Sequence, residues 1–204
     1  MKEFWDERYS SEEYIYGKEA NSFLKQELKK LEKGKILFPC EGEGRNSVFA
    51  SKIGWISYGF DQSHIAKQKA ENLAKENNVE IDYKVGNVEE IEYPENYFDA
   101  IAYIYSHFPS ENKKNYFKKL NSYLKINGYV IFECFSKKHL EYNSKNPSVG
   151  GPRDLDLLFS IDEIKEYFDN FNFIYLNEEE IELKEGNFHN GIGMVIRFVG
   201  KKMF

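Results

Sequence analysis

Five residues, Cys40-Glu41-Gly42-Glu43-Gly44, stand between an apolar run, Lys35 to Pro39, and an amphipathic segment that opens at Arg45. Lacking a Cβ, Gly42 and Gly44 can take positive φ and let a ligand approach the backbone, while the free N–H groups of a helix starting there favour electronegative atoms. Such a turn suits a nucleotide-like ligand, although two glycines also make a plain sharp turn in a parallel sheet. Three later features bear on that choice. Asp61 ends the next apolar run, placed either for its carboxylate to accept hydrogen bonds from two ribose hydroxyls or to cap a helix. Asn87-Val88 follows a third run, where a side-chain amide and a backbone N–H would meet an adenine edge, or would form an ordinary turn. Tyr105-Ser106-His107 ends a fourth run beside the glycine turn, where a reacting group would sit.

The elements that must position these residues alternate along the chain. Phe23, Leu24, Leu28 and Leu31 recur at helical spacing between Asn21 and Lys33, and Gly34 ends that helix. Strands are expected at 35–39, 55–61, 79–85, 97–105 and 129–135, with helices at 46–53, 63–77 and 110–124 between them. Five strands joined by connections of crossover length imply an α/β three-layer sandwich, its sheet mostly parallel with helices on both faces. Ligands of such sheets bind beyond the carboxyl ends of the strands, where every polar feature above falls. From Ser136 to Leu158 the pattern breaks around Pro147, Gly150, Gly151 and Pro152, as in a long loop that serves as a lid or is disordered. Ser160 and Glu163 then form a capping box, and residues 173–183 and 191–199 make an antiparallel hairpin about a turn at 184–190.

The 204 residues suit one domain. A formal charge of −6, from 34 acids against 28 scattered Lys and Arg, argues against sequence-independent binding to a phosphate backbone. Small molecules are the expected partners, with neither nucleic acid nor membrane, for a monomer or homodimer. No apolar run approaches the roughly 20 residues that span a bilayer, and Met1 to Arg8 lacks the apolar centre of a signal peptide, so the expected compartment is the cytoplasm. Cys40 and Cys134 fall in expected strands and read as reduced thiols. With no CxxC and four histidines unpaired at helical spacing, no metal site is expected.

Taken in order, from Trp5 to Lys202, these features resemble a class I S-adenosylmethionine-dependent methyltransferase. The chain is most similar to small-molecule enzymes of the tellurite-resistance and thiol methyltransferase kind, through Glu43-Gly44-Arg45-Asn46-Ser47 and the tract ending in His189 ahead of Ile196-Arg197-Phe198. The resemblance implies a seven-stranded sheet closed by an antiparallel hairpin, with S-adenosyl-L-methionine as cofactor and S-adenosyl-L-homocysteine as product. It implies cofactor contacts from Cys40, Glu41, Gly42, Gly44, Asn46, Asp61, Gln62, Asn87, Val88 and Tyr105. It also implies an entry segment, Trp5 to Tyr16, closing over the cofactor, with Tyr9 and Tyr16 at its methionine end and Arg8 for its carboxylate. Two positions depart from the family: Phe38 stands where an acid is usual and Cys40 where a glycine is usual. Glu41 or Asp6 is left to meet the methionine amino group.

Methyl transfer asks an enzyme for orientation, exclusion of water and, for some acceptors, removal of a proton. His107 and His189 are the candidate bases or acceptor-positioning groups, since imidazole titrates near neutrality; a structural histidine is the alternative for each. Tyr105, Phe108 and Phe135 would wall the acceptor pocket, and the segment with Arg153 would be its lid. That wall suits a small, soft or neutral acceptor such as a thiol or a chalcogen oxyanion. The expected division is an N-terminal cover and helix (1–33), a cofactor-binding core (34–136), a lid (137–159) and a C-terminal helix and hairpin (160–204). Two further readings stay open: a cofactor-binding regulatory module without catalysis, and a nicotinamide oxidoreductase, which lacks a third glycine at Ser47 and a second domain.

Overall fold

The computed structural model describes residues 2–186 and 188–204; Met1 and Asn187, the latter inside the expected 184–190 turn, lie outside them. In chain order the elements are α1 (Lys2–Tyr9), α2 (Ser22–Leu28), β1 (Lys35–Pro39), α3 (Arg45–Lys52), β2 (Ile56–Asp61), α4 (His64–Glu76), β3 (Asp82–Val85), β4 (Phe98–Ile104), α5 (Ser110–Ser122), β5 (Leu124–Phe135), α6 (His139–Lys145), α7 (Ile161–Tyr167), β6 (Phe171–Glu185) and β7 (His189–Lys202). The strands form a seven-stranded sheet in the order β3-β2-β1-β4-β5-β7-β6. Pairing is parallel from β3 to β5 and antiparallel for β7 against both of its neighbours.

Alternation along each strand decides which layer a side chain joins. Leu37, Ile101, Tyr103 and Phe132 pack on one face with Phe117 of α5 and Ile164 of α7. Ile36, Phe38, Ala100 and Ile131 pack on the other with Leu24 of α2 and Ala50 of α3. Phe38, where the resemblance leads one to expect an acid, is a wholly apolar core contact.

Caps explain several boundaries. Asn21 accepts from Leu24 N at the start of α2, Ser63 from Ala66 N at the start of α4, and Ser160 with Glu163 forms the expected capping box on α7. Gly44, at φ 85°, leads into α3; a Cβ there would stand 2.5 Å from Ala70 Cβ, so its missing side chain lets the turn lie on α4.

Three parts differ from expectation. Residues 2–9 form a helix, too short to show a period, held where Tyr9 and Trp5 pack beside Ala66. The segment 137–159 is not a bare loop: it holds α6 and two 3-10 turns, Pro147–Val149 and Leu155–Leu157. The buried His139 of α6 bonds the Gly150 carbonyl through Nε2 at 3.0 Å, which fastens this segment down. Strand β5 begins before the expected Asn127-Gly128 turn; pairing with β4 jumps from Phe98–Leu124 to Ala100–Tyr129, with Asn127 at φ 66° inside the jump.

β7 pairs with β5 only as far as Val195 opposite Phe135, and the rest of the β6–β7 hairpin runs on past the carboxyl edge of the sheet. β6 is the outermost strand on that side. Among the described residues no helix is long and apolar enough to cross a membrane.

Candidate functional site

Hydrogen bonds draw the ends of β1, β2 and β3 together. Glu41 N donates to Phe60 O at 3.0 Å, Gly42 N to Asp61 Oδ2 at 3.2 Å and Gly86 N to Asp61 O at 3.0 Å. Gly42, Asp61 and Asn87 therefore lie along one edge, although far apart in sequence. Asp61 also accepts from Ser63 N at 3.0 Å, and burial pushes its carboxyl up to about 6 despite the N–H groups of Ser63, Gly42 and Gln62 that oppose the shift. Helix α4 is capped by Ser63, so Asp61 is not its cap. Cys40 holds φ 53°, a conformation that favours glycine, and burial with the nearby Asp61 pushes its thiol pKa up.

Two expectations are corrected here. The first N–H groups of α3 are not free, because Glu41 Oε1 accepts from Asn46 N at 3.0 Å and from Ser47 N at 2.7 Å. Burial pushes Glu41 up to about 7. The Asn87 side-chain oxygen is likewise already occupied, accepting from Glu89 N at 2.8 Å and Glu90 N at 3.1 Å in the turn that follows, while the Val88 side chain lies in the core.

The N-terminal segment covers this edge. Tyr9 is buried with its hydroxyl 2.7 Å from where a Gly42 Cβ would be, and Trp5 stacks on it at 5.4 Å. Arg8 Nη1 donates to Tyr16 Oη at 3.1 Å, and Asp6 accepts from Ser63 Oγ. Ile15 N donates to Glu43 Oε2 at 2.8 Å, and Lys69 Nζ lies 2.6 Å from Glu43 Oε1.

Beyond β4, Tyr105 takes φ 53° and turns its ring against Phe135 at 4.8 Å. Around Phe135 gather three of the four histidines, with ring centroids 4.0 Å (His139), 5.2 Å (His189) and 5.9 Å (His107) away. Their partners fix different proton positions. Met194 N donates to His139 Nδ1 at 3.2 Å, so its Nε2 carries the proton given to Gly150 O and both nitrogens are used. His107 faces Leu157 O with Nδ1 at 3.0 Å and must donate there, leaving the buried Nε2 lone pair without a partner among the described residues. Burial pushes His107 down to about 3, so it stays neutral. His189 lies against Tyr16 at 4.6 Å and Tyr105 at 4.5 Å, with Nδ1 3.3 Å from Glu185 Oε2.

A buried polar network underlies these rings. Glu133 accepts from Tyr105 Oη (2.6 Å), Asn21 Nδ2 (2.7 Å) and Arg197 Nε (2.6 Å), and burial still raises its pKa. Glu185 accepts from the same Asn21 Nδ2 at 2.9 Å and from Arg45 Nη2 at 2.8 Å. A cavity of about 380 Å³ opens onto Tyr16, Tyr105, Glu133, Glu185 and Arg197. A larger hollow, about 760 Å³, lies beside the amino ends of β2 and β3 around Trp55, Ile56 and Val79, away from these groups.

The expected acceptor wall divides. Tyr105 and Phe135 share one cluster with Val149 and Leu183, whereas Phe108 is buried in the main core against Tyr116 and Phe117. The proline that follows Phe108 and the start of α5 turn its ring under the helix, away from Tyr105. Arg153 is exposed between the two 3-10 turns. The structure adds Asn21, Arg45, Glu133 and Glu185 to the site. Of these, Arg45 stood in the Glu43 to Ser47 tract and Glu185 in the 184–190 turn, but neither was given a role from the sequence.

The profile of the family described as Methyltransferase domain matches residues 40–132. Two Haemophilus influenzae proteins, each a probable S-adenosyl-L-methionine-dependent methyltransferase TehB, are 22% identical over 171 residues, 80% of this chain. The chain spans 57% of the length of these relatives. Among solved structures, TehB from Haemophilus influenzae superposes with a TM-score of 0.71 at 18% identity, covering 98% of this chain and 66% of that one. A structure from work on conversion of a disulfide bond into a thioacetal group during echinomycin biosynthesis gives 0.79 at 15% identity, covering 100% and 92%. Magnesium protoporphyrin IX methyltransferase (ChlM) from Synechocystis PCC 6803 with bound SAH gives 0.67 at 14%, covering 88% and 81%. The methyltransferase profile, which runs from the turn after β1 into β5, and the superposed structures make the chain similar in sequence and fold to class I S-adenosylmethionine-dependent methyltransferases.

Proposed function

We propose that the protein transfers a methyl group from S-adenosylmethionine to a small, soft or neutral acceptor, a thiol or a chalcogen oxyanion being the first choice. The observation that carries this reading is the run of hydrogen bonds from Gly42 through Asp61 to Gly86, set beside the histidine and aromatic cluster around Phe135.

The residues fit the cofactor. A side chain at Gly42 would fill the space between the turn and Tyr9, and the buried Asp61 carboxylate, an acceptor only, keeps a lone pair beyond its backbone donors. Asp61 would take the ribose hydroxyls, the backbone after Asn87 the adenine edge, and Tyr9, Arg8 and Tyr16 the methionine end. When bound, the cofactor supplies an electrophilic methyl group on a sulfonium sulfur. The chain's own part is to orient the acceptor against Tyr105 and Phe135, keep water out beneath the β6–β7 hairpin and the N-terminal cover, and hold a proton. His189 is the base for an acceptor that loses a proton, and the unpartnered His107 Nε2 the acceptor-positioning group. Residues 1–204 act as one domain, with 137–159 flanking the acceptor.

Calorimetric titration with S-adenosylmethionine, followed by S-adenosylhomocysteine release over thiols, selenium and tellurium oxyanions and small amines, tests the reading. Binding with turnover on a thiol or oxyanion is expected; no binding overturns it, and binding with turnover only on charged amines overturns the acceptor class.

A further inference from the structure

Glu185 ends β6 and stands opposite His189, the first residue of β7, in the hairpin register. Its Oε2 meets both His189 Nδ1 and Arg45 Nη2, and its Oε1 accepts from Asn21. A carboxylate offers no proton, so the imidazole nitrogen facing it must carry one, and Nε2 is left with its lone pair. Arg45 and His189 are buried, and the side chain of Glu185 is 13% exposed, so water competes little for these bonds.

Arg45 is the first residue of α3, immediately after Gly44 of the glycine turn. Its guanidinium nevertheless points away from the edge that Gly42 and Asp61 form: Nη1 donates to Glu19 O at 3.2 Å and Nη2 to Glu185. The bidentate reach of a guanidinium suits it to tie the chain just ahead of α2 to the end of β6 at once. The cation of the Glu43 to Ser47 tract is thereby spent on the hairpin, not on a ligand.

We propose that Arg45 and Glu185 are positioning residues that hold His189 as its Nδ1–H tautomer and present Nε2 to the methyl acceptor. The inference rests on the methyltransferase reading above and extends it to residues which that reading leaves without a purpose. The groups facing His189 are Glu185 from β6, Arg45 from α3, Arg8 from α1, the phenols of Tyr16 and Tyr105, and the imidazoles of His107 and His139 across Phe135. Burial disfavours its cation first, Arg45 and Arg8 oppose it further, and Glu185 favours it.

The test uses the whole chain with nitrogen-labelled histidine. Nuclear magnetic resonance of the unmodified protein should report His189 as a single Nδ1–H tautomer. Glu185→Gln should lower its titration midpoint by about one pH unit. The variant should lower kcat about tenfold or more, with S-adenosylmethionine affinity within about twofold by calorimetry, and Glu185→Asp should recover part of the loss. An Nε2–H tautomer, or an unmoved midpoint with unchanged kcat in folded Glu185→Gln, overturns the assignment. Should Glu185→Gln not fold, Arg45→Lys decides: lowered kcat at unchanged cofactor affinity supports the assignment, and unchanged kcat overturns it. An unmodified protein that binds no S-adenosylmethionine instead overturns the methyltransferase reading, a result separate from the tautomer measurement.

Discussion

The Gly42 N–H donates to Asp61 Oδ2 at 3.2 Å, so the turn after β1 is fastened to the acid that ends β2. One carboxylate thus sets the spacing of the glycine turn and is proposed to bind ribose. Asp61→Ala should weaken S-adenosylmethionine binding by about 1.5–3 kcal/mol, the range for a hydrogen bond to a charged group. Isothermal calorimetry checks it, and unchanged affinity would remove Asp61 from the site.

Gly44 pairs a positive φ of 85° with a Cβ position 2.5 Å from Ala70 Cβ and 2.7 Å from Ala70 Cα. Gly44→Ala should therefore cost about 2–4 kcal/mol, combining backbone strain with overpacking. Ala70→Gly in the same chain should return only the part due to the Cβ–Cβ contact, because the Ala70 Cα, 2.7 Å away, and the positive φ both stay. A denaturant-melt double-mutant cycle measures the split, and strictly additive effects would show that the two helices' contact is not what makes Gly44 necessary.

Burial holds Glu41 at about 7, above its ordinary 4.5, so the folded chain keeps a proton that the unfolded chain releases. The stability tied to that proton is complete below pH 4.5 and is lost as pH rises through about 7. Glu41→Gln keeps an oxygen for Asn46 N and Ser47 N without the charge. Its stability relative to the unmodified protein should rise between pH 5 and pH 8, by an amount on the order of 3 kcal/mol at most. Thermal melts at the two pH values measure this; a flat difference would mean that Glu41 is ionised at no cost.

His189→Ala should lower turnover at least tenfold, as loss of a general base does, while cofactor affinity changes little. His107→Ala tests the unpartnered Nε2 in the same assay. If its larger effect falls on KM for the acceptor, the nitrogen positions the acceptor; equal activity in either variant would make that histidine structural.

The parallel core was legible because its signals are local and repeated. Apolar runs, the glycine turn and the caps at Ser63 and Ser160 each name an element without help from the rest of the chain. The antiparallel closing hairpin was legible too, though both strands extend further than their apolar alternation indicates, since β6 and β7 continue on each other's hydrogen bonds alone past the sheet edge. Helix α6 was not, because seven residues give too little period to see. Tyr105 and Phe135 could be placed together from their strand ends. Phe108 could not be excluded from them, because which way a ring turns after a strand depends on the helix that follows.

Partners across long sequence separations were the least visible part. Asn21, Glu133 and Glu185 look like ordinary polar residues in the sequence, and only folding brings them within hydrogen-bond reach of one another. Glu133 sits in a run that otherwise reads Tyr-Val-Ile-Phe and Cys-Phe, and an acid among such neighbours was the one available hint that a buried partner existed. That partner, Arg197, lies directly across the β5–β7 ladder.

The outermost strand carries Glu178, Glu179, Glu180, Glu182 and Glu185 within eight consecutive positions. Were a second molecule to add its own β6 there, running antiparallel about Glu180, Glu178 would face Glu182 and Glu180 would face its own copy, and like charges set opposite one another repel. The unused hydrogen-bonding rim of the sheet is guarded by its own glutamates, so growth of the sheet from molecule to molecule is opposed at the place where its backbone would otherwise invite it.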